Sequence, residues 1–231
     1  MRTSEQISKI KETITDPFSV ENFLSADEIL YLVDLFDKSQ EKTYKNTGPI
    51  TVDLKPYFND HVIEKIITKL KDHILDFKIT AAFFFQTDYP HIIHNDDTFE
   101  LPDTVYKGIT LPLLITGGYH TFPSLCFFDQ FYFHGPAKFF KGDADIPTYY
   151  NKQVYDYCNV DNLSDIPFVD RDRLFTHLKP QWLGGLSLHS ALDWVPGNAL
   201  IFDSTRLHCA SDFRKLGIKS KLGISIFTKK L

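Results

Sequence analysis

The sequence predicts a mainly-β protein with flanking helices: a jelly-roll sandwich with N-terminal helices packed on one of its sheets. Three observations carry this reading. Up to about residue 76 the apolar residues recur at helical spacing, and from 77 onward they fall into short aromatic and aliphatic runs broken by Gly, Pro and Asp. The chain holds 21 Phe and 11 Tyr, and 43% of it is apolar, which gives it ample material for a core and argues against disorder. At 231 residues it is long enough to bury its core without disulfide or metal staples. The expected layout is a single domain, with residues 1–76 as helical support and 77–231 as the jelly-roll, carrying an insertion at about 134–193.

The helices come first. In "LSADEILYLVDLFDKSQ", Ser25 is a natural N-cap and Glu28 stands three residues on, the pattern of a capping box. Ile29, Leu30, Leu32, Val33 and Phe36 then form an apolar stripe. "YFNDHVIEKIITKLKDHIL" repeats the pattern, with Asn59 or Asp60 as cap and Val62, Ile63, Ile66, Ile67 and Leu70 as the stripe. Each helix is amphipathic and should bury one face.

The strands come next. "FKITAAFFFQT", "HIIHND", "YKGITLPLLIT", "SLCFFDQFYFH", "NALIFDS" and "KLGISIFTKK" read as β segments, with Phe83–Phe85 assigned to the core. Residues 134–193 lack clean periodicity and are rich in Tyr, Phe, Asp, Pro and Gly. A stretch of this length points to a functional or partly ordered segment, here expected to cover one mouth of the sandwich as a lid. Sandwiches of this kind hold ligands at their open end, between the sheets.

Composition removes several classes of function. A formal charge of −5 without a basic run argues against a nucleic-acid binder. The 3 cysteines are widely spaced and include no CxxC pair, which disfavours a disulfide framework or a cysteine zinc site and favours a reducing compartment. The N-terminus lacks the apolar core of a signal peptide, and no run is long enough to span a membrane. The expectation is a cytoplasmic protein acting on a small molecule or a peptide, without nucleic acid or membrane. Oligomeric state leaves no mark in the sequence.

The chemistry concentrates in "YPHIIHNDDTF". Residues i and i+2 of a strand share a face, so His94 and Asp96 project together and can bind one ion. "PGNALIFDSTRLHCASDF" supplies a third candidate ligand, His208. Two imidazoles and one carboxylate leave three positions of an octahedral metal open, the arrangement of non-haem Fe(II) oxygenases. By the same alternation His91 and Asp97 face away, His91 in a structural role and Asp97 in solvent. His120, His134, His177 and His189 are read as surface histidines. Asp203 and Arg206 are either an ordinary surface pair or a contact near the site, and Cys209 is a small buried residue.

His94-Asn95-Asp96 followed by His208 resembles the H-x-D…H motif of the Fe(II)/2-oxoglutarate-dependent dioxygenases, in their prolyl-hydroxylase-like and phytanoyl-CoA-hydroxylase-like branches. "DPFSVENFLSADEILYLVDLF" is similar to the helix that leads into the family's core, and "GNALIFDSTRLHCAS…KSKLGISIFT" to its C-terminal ending. The resemblance spans roughly residues 17–230. It implies a double-stranded β-helix (jelly-roll, cupin-like) core, with Fe(II) held by His94, Asp96 and His208. It also implies 2-oxoglutarate and O2 as co-substrates, and hydroxylation of an unactivated C–H bond with release of succinate and CO2. A basic residue of the last strand would pair with the distal carboxylate of 2-oxoglutarate. Lys221 is the choice because it lies deeper in the apolar strand, with Lys219 and Ser225 on the same face as further contacts. The chain departs from the pattern in two places. It carries Lys where many members carry Arg, and Phe85 where several carry Tyr nine residues before the motif. Two other readings stay open on the residues alone: a cupin-like metalloprotein without 2-oxoglutarate, and a non-catalytic jelly-roll module that stacks ligands on its tyrosines, Trp182 or Trp194.

Overall fold

A computed structural model describes residues 2–43, 49–97, 104–118, 121–137 and 166–231. The first half supplies α1 (Ser4–Lys11), β1 (Phe18–Val20), α2 (Ala26–Lys38), β2 (Ile50–Asp53), α3 (His61–Leu70), β3 (Phe77–Thr87) and β4 (Val105–Gly117). After β5 (Ser124–Phe131) come α4 (Phe168–Leu174), β6 (Leu188–Asp193), β7 (Ala199–Asp203), β8 (Arg206–Ala210) and β9 (Ile218–Lys230).

The helix starts obey the sequence chemistry. The Ser25 hydroxyl accepts from the Glu28 N–H, and the Glu28 carboxylate accepts from the Ser25 N–H, so two donors at the open end of α2 are satisfied reciprocally. The Asp60 carboxylate accepts from the N–H groups of Val62 and Ile63 and caps α3. Thr3 and Gln6 form a second capping box ahead of α1.

The strands form a six-stranded sheet in the order β1-β7-β4-β9-β3-β2 and a three-stranded sheet in the order β6-β5-β8. The pairings are antiparallel. This is the jelly-roll expected from the sequence. Strand alternation divides the large sheet into two faces. Phe84, Ile109, Leu111, Ile224 and Ile226 pack against Leu32, Phe36, Ile63, Ile66 and Leu70 of α2 and α3. Their neighbours Phe83, Phe85, Lys221 and Ser225 point to the other face and line a cavity. A second core of Ile93, Cys126, Phe128, Trp182, Leu207 and Cys209 lies behind the small sheet.

Several expectations need correction. Leu30 is 68% exposed and leaves the α2 stripe to Leu32 and Phe36. Phe83 and Phe85 belong to the cavity wall, and only Phe84 of that run enters the helix-side core. "HIIHND" forms no strand beyond a single bridge at His94. The segment read as an insertion contains α4 and ends in β6, which pairs with β5 and is part of the small sheet. Of the proposed lid, 134–193, residues 138–165 lie outside the described residues. Trp182 and Trp194 are both buried: Trp182 belongs to the second core, and Trp194 lines the cavity of the candidate site, so neither is a stacking platform on the outer surface. Among the described residues no helix is long and apolar enough to cross a membrane.

Candidate metal centre

The two histidines are joined through their backbones. His94 N–H donates to the His208 carbonyl and His208 N–H to the His94 carbonyl, both at 2.9 Å. That bridge brings the rings to a centroid distance of 4.3 Å. Asp96 comes two residues later, its N–H donating to the Ser204 carbonyl at 2.8 Å. Asp96 Oδ1 then lies 3.6 Å from His94 Nε2, and Oδ2 lies 3.5 Å from His208 Nε2. The three candidate ligand atoms fall within 4.8 Å of one another. Ligands at ~2.1 Å from one ion and at right angles are about 3 Å apart, so the donor set is already close to a coordinating arrangement.

Hydrogen bonds also fix which nitrogens face the centre. His94 Nδ1 lies 2.7 Å from the Ile92 carbonyl, and His208 Nδ1 lies 2.9 Å from the Arg206 carbonyl. A carbonyl only accepts, so each Nδ1 carries the hydrogen and each Nε2 presents a lone pair inward. The ring of Phe202 packs on His208 at 4.7 Å. Gly108 makes room for it: a Cβ there would lie 2.8 Å from the Phe202 ring and 3.3 Å from Asp96 Oδ2.

A cavity of about 190 Å³ opens from the three residues. Phe83, Phe85, Phe227 and Tyr89 form much of its wall, and Lys221 and Ser225 lie on its β9 side. The Lys221 side chain is buried, with Nζ 4.9 Å from the Trp194 ring centroid and 4.8 Å from that of Phe213. Burial draws its pKa down to about 7, opposed by the Cys126 sulfur. Among the described residues no carboxylate pairs with it. Gly223, two residues on, keeps the wall closed: a Cβ would meet the Leu111 carbonyl and the Trp194 ring, both at 2.9 Å. The structure therefore brings His94, Asp96, His208, Lys221 and Ser225 to one cavity. Lys219 is exposed and lies outside its lining.

Other assignments change. His91 lines the cavity, its ring edge-on to His94 at 5.2 Å, and does not face away. Asp97 is buried and ion-paired to Arg2, where solvent was expected. Asp203 and Arg206 are buried as well. Asp203 meets Lys107 Nζ at 2.5 Å, and Arg206 donates to the Phe128 carbonyl with its guanidinium over the Phe131 ring. His189 is held between Asp16 and Asp129. His177 is half-buried, and desolvation lowers its pKa to about 4. Cys209 is fully buried, as expected, and is register-paired with Cys126. His120 and Cys158 lie outside the described residues. Sequence reasoning missed Arg2, Asn95, Gly108, Phe202 and Gly223. A glycine inside an apolar strand was the available signal for the two glycines, since it marks a close approach.

No family model matches the chain, and no curated protein resembles it in sequence. Solved structures do resemble it in fold. SnoN, a non-heme alpha-ketoglutarate-dependent epimerase from nogalamycin biosynthesis, superposes with a TM-score of 0.52 at 12% identity, over 98% of this chain and 82% of that one. SnoK, a non-heme alpha-ketoglutarate-dependent carbocyclase from the same biosynthesis, gives 0.54 at 11% identity, over 99% and 84%. HygX from Streptomyces hygroscopicus, with nickel and 2-oxoglutarate bound, gives 0.51 at 11% identity, over 100% and 88%. At these identities the likeness is one of fold, and it extends over nearly the whole chain: the protein has the double-stranded β-helix, or jelly-roll, architecture shared by these three proteins.

Proposed function

We propose that the protein is an Fe(II)- and 2-oxoglutarate-dependent oxygenase that hydroxylates an unactivated C–H bond of a small molecule or a peptide side chain, releasing succinate and CO2. One observation carries the reading. Two inward Nε2 lone pairs and a carboxylate open onto a cavity that also holds a buried lysine without a carboxylate partner among the described residues. A buried ammonium in such a place calls for an anion, and a dicarboxylate that also chelates the metal supplies one. The donor set suits Fe(II): two nitrogens and one oxygen, with one side left open. Fe(II) with 2-oxoglutarate, when bound, supplies the activation of O2 that C–H cleavage requires.

The chain's own groups have separate tasks. His94, Asp96 and His208 hold the ion, and the carbonyls of Ile92 and Arg206 keep the imidazoles in the coordinating tautomer. Lys221 receives the distal carboxylate, with Ser225 as a second contact. The aromatic wall excludes water and receives an apolar part of the substrate. The fold relatives include an epimerase and a carbocyclase, so one fold serves more than one outcome, and the groups around the substrate decide which follows C–H cleavage. Cys126 and Cys209 are free thiols, in keeping with a cytoplasmic setting.

The test is succinate release. With Fe(II), 2-oxoglutarate and O2 but no added substrate, the protein should produce succinate slowly above a protein-free blank, and His208→Ala should not. Folded protein that gives no succinate above the blank overturns the reading.

A further inference from the structure

The segment that carries His94 and Asp96 pairs as a strand only at the His94–His208 bridge, so contacts outside a ladder hold the rest of it. Asn95 Nδ2 donates to the carbonyls of Tyr132 and Gly135, both at 3.1 Å, and its Oδ1 accepts from the Ala137 N–H at 2.7 Å. Beyond Asp96 the chain is gripped from a distant point in the sequence. The guanidinium of Arg2, 95 positions away, forks onto both carboxylate oxygens of Asp97. The same guanidinium donates to the Phe133 carbonyl at 2.8 Å. The Asp97 side chain is 0% exposed and that of Arg2 is 4% exposed. Arg2 is itself held in place by helix α1, which begins two residues later. The capping box of Thr3 and Gln6 starts that helix, and its Ile10 packs with Val105 and Phe133.

We propose that Arg2 is a positioning residue for the metal centre: its bidentate grip on Asp97 fixes the end of the ligand segment and so the aim of the Asp96 carboxylate. Asp96 is pinned by its N–H to Ser204 and by the Asn95 clamp, and Arg2 adds a hold on the residue that follows it. The forked geometry matters as well as the charge, because a lysine at the same place offers a single point of contact. Outer contacts that orient metal ligands typically contribute 10–100-fold in metal affinity. The inference rests on the metal-binding reading of His94, Asp96 and His208.

Co(II) binding to the apoprotein, monitored by visible absorption, separates the two ideas. The unaltered protein should bind Co(II) at one site. Arg2→Met should keep the far-UV circular dichroism of the parent and bind Co(II) about tenfold or more weakly. Arg2→Lys should fall between them. Asp97→Asn should weaken binding similarly, and the double variant Arg2→Met/Asp97→Asn should be no weaker than Asp97→Asn alone. The double variant removes both charges of the pair together, so it reports on the clamp even if Arg2→Met alone fails to fold. If the parent binds no Co(II), the metal reading falls and the proposal falls with it. If the parent binds and Arg2→Met binds within twofold of it, or the two substitutions weaken binding additively, the clamp is overturned and the metal reading stands.

Discussion

Replacing Lys221 with Met should make the protein more stable and nearly abolish its affinity for 2-oxoglutarate. The two effects have opposite signs because the lysine is unfavourable in the empty fold and favourable only with an anion beside it. Its pKa falls from 10.5 to about 7 on burial. For a base whose folded pKa is lowered, the penalty is absent above the unfolded value, grows as pH falls, and is complete below the folded value. At pH 7 the ceiling is ~4 kcal/mol, at ~1.4 kcal/mol per unit. The Trp194 and Phe213 rings return ~1–2 kcal/mol of this, leaving ~2–3 kcal/mol. For a chain of this size that is a rise of roughly 5–10 °C in Tm at pH 7, shrinking toward zero near pH 10.5. Loss of a buried charge partner weakens anion binding by ~2–5 kcal/mol, which is at least ~30-fold for 2-oxoglutarate. Differential scanning fluorimetry across pH and calorimetric titration of metal-loaded protein measure the two effects. A lowered Tm, or an affinity within threefold of the parent, would refute the assignment of Lys221 as an unpaired anion site.

The same geometry has other consequences. Because free Lys221 is half-neutral near pH 7, 2-oxoglutarate binding should take up about half a proton there and close to one by about pH 9, so affinity should fall toward tenfold per pH unit across that range; titrations in buffers of different ionisation enthalpy count the uptake. Gly108→Val should push Phe202 toward His208 and crowd Asp96, lowering metal affinity by roughly tenfold or more while circular dichroism shows the β fold intact. Burial raises the Glu28 pKa, but Lys65, the Ser25 N–H and Lys69 outweigh it and bring it down to about 2. For a carboxylate lowered in this way, the stabilisation is full above its ordinary value of 4.5 and is lost as pH falls through 2. Glu28→Gln should therefore cost ~1–2 kcal/mol at pH 7, after screening through the exposed Lys65, and almost nothing near pH 2, as read from urea midpoints at the two pH values.

The sequence was legible where a local rule governs structure. Ser25 and Glu28 announce α2, Asp60 announces α3, and the long apolar runs announce β3, β4 and β9, because capping and alternation act within a few residues. His94, Asp96 and His208 are legible as residue types that ligate a metal, and Lys221 through the resemblance, which asks for a basic residue on the last strand and meets one deep in its apolar run. Strand alternation was the wrong route to the first pair: His94 and Asp96 converge through a backbone bridge to His208 and a bond to Ser204. The same alternation misplaced Asp97 and His91. Short edge strands such as β1 and β2 have too few residues for a period to show. Arg2 and Phe202 act across long sequence separations, and no local pattern marks them.

The central claim is that one ion and one dicarboxylate share this cavity, and anaerobic titration tests it most directly. Adding Fe(II) and then 2-oxoglutarate to folded apoprotein, without oxygen, should produce the weak visible charge-transfer absorption of a chelated 2-oxo acid, saturating at one equivalent and absent in His208→Ala. If the folded parent protein gives no such band with iron and 2-oxoglutarate in excess, the three residues do not form the centre described and the oxygenase account is contradicted.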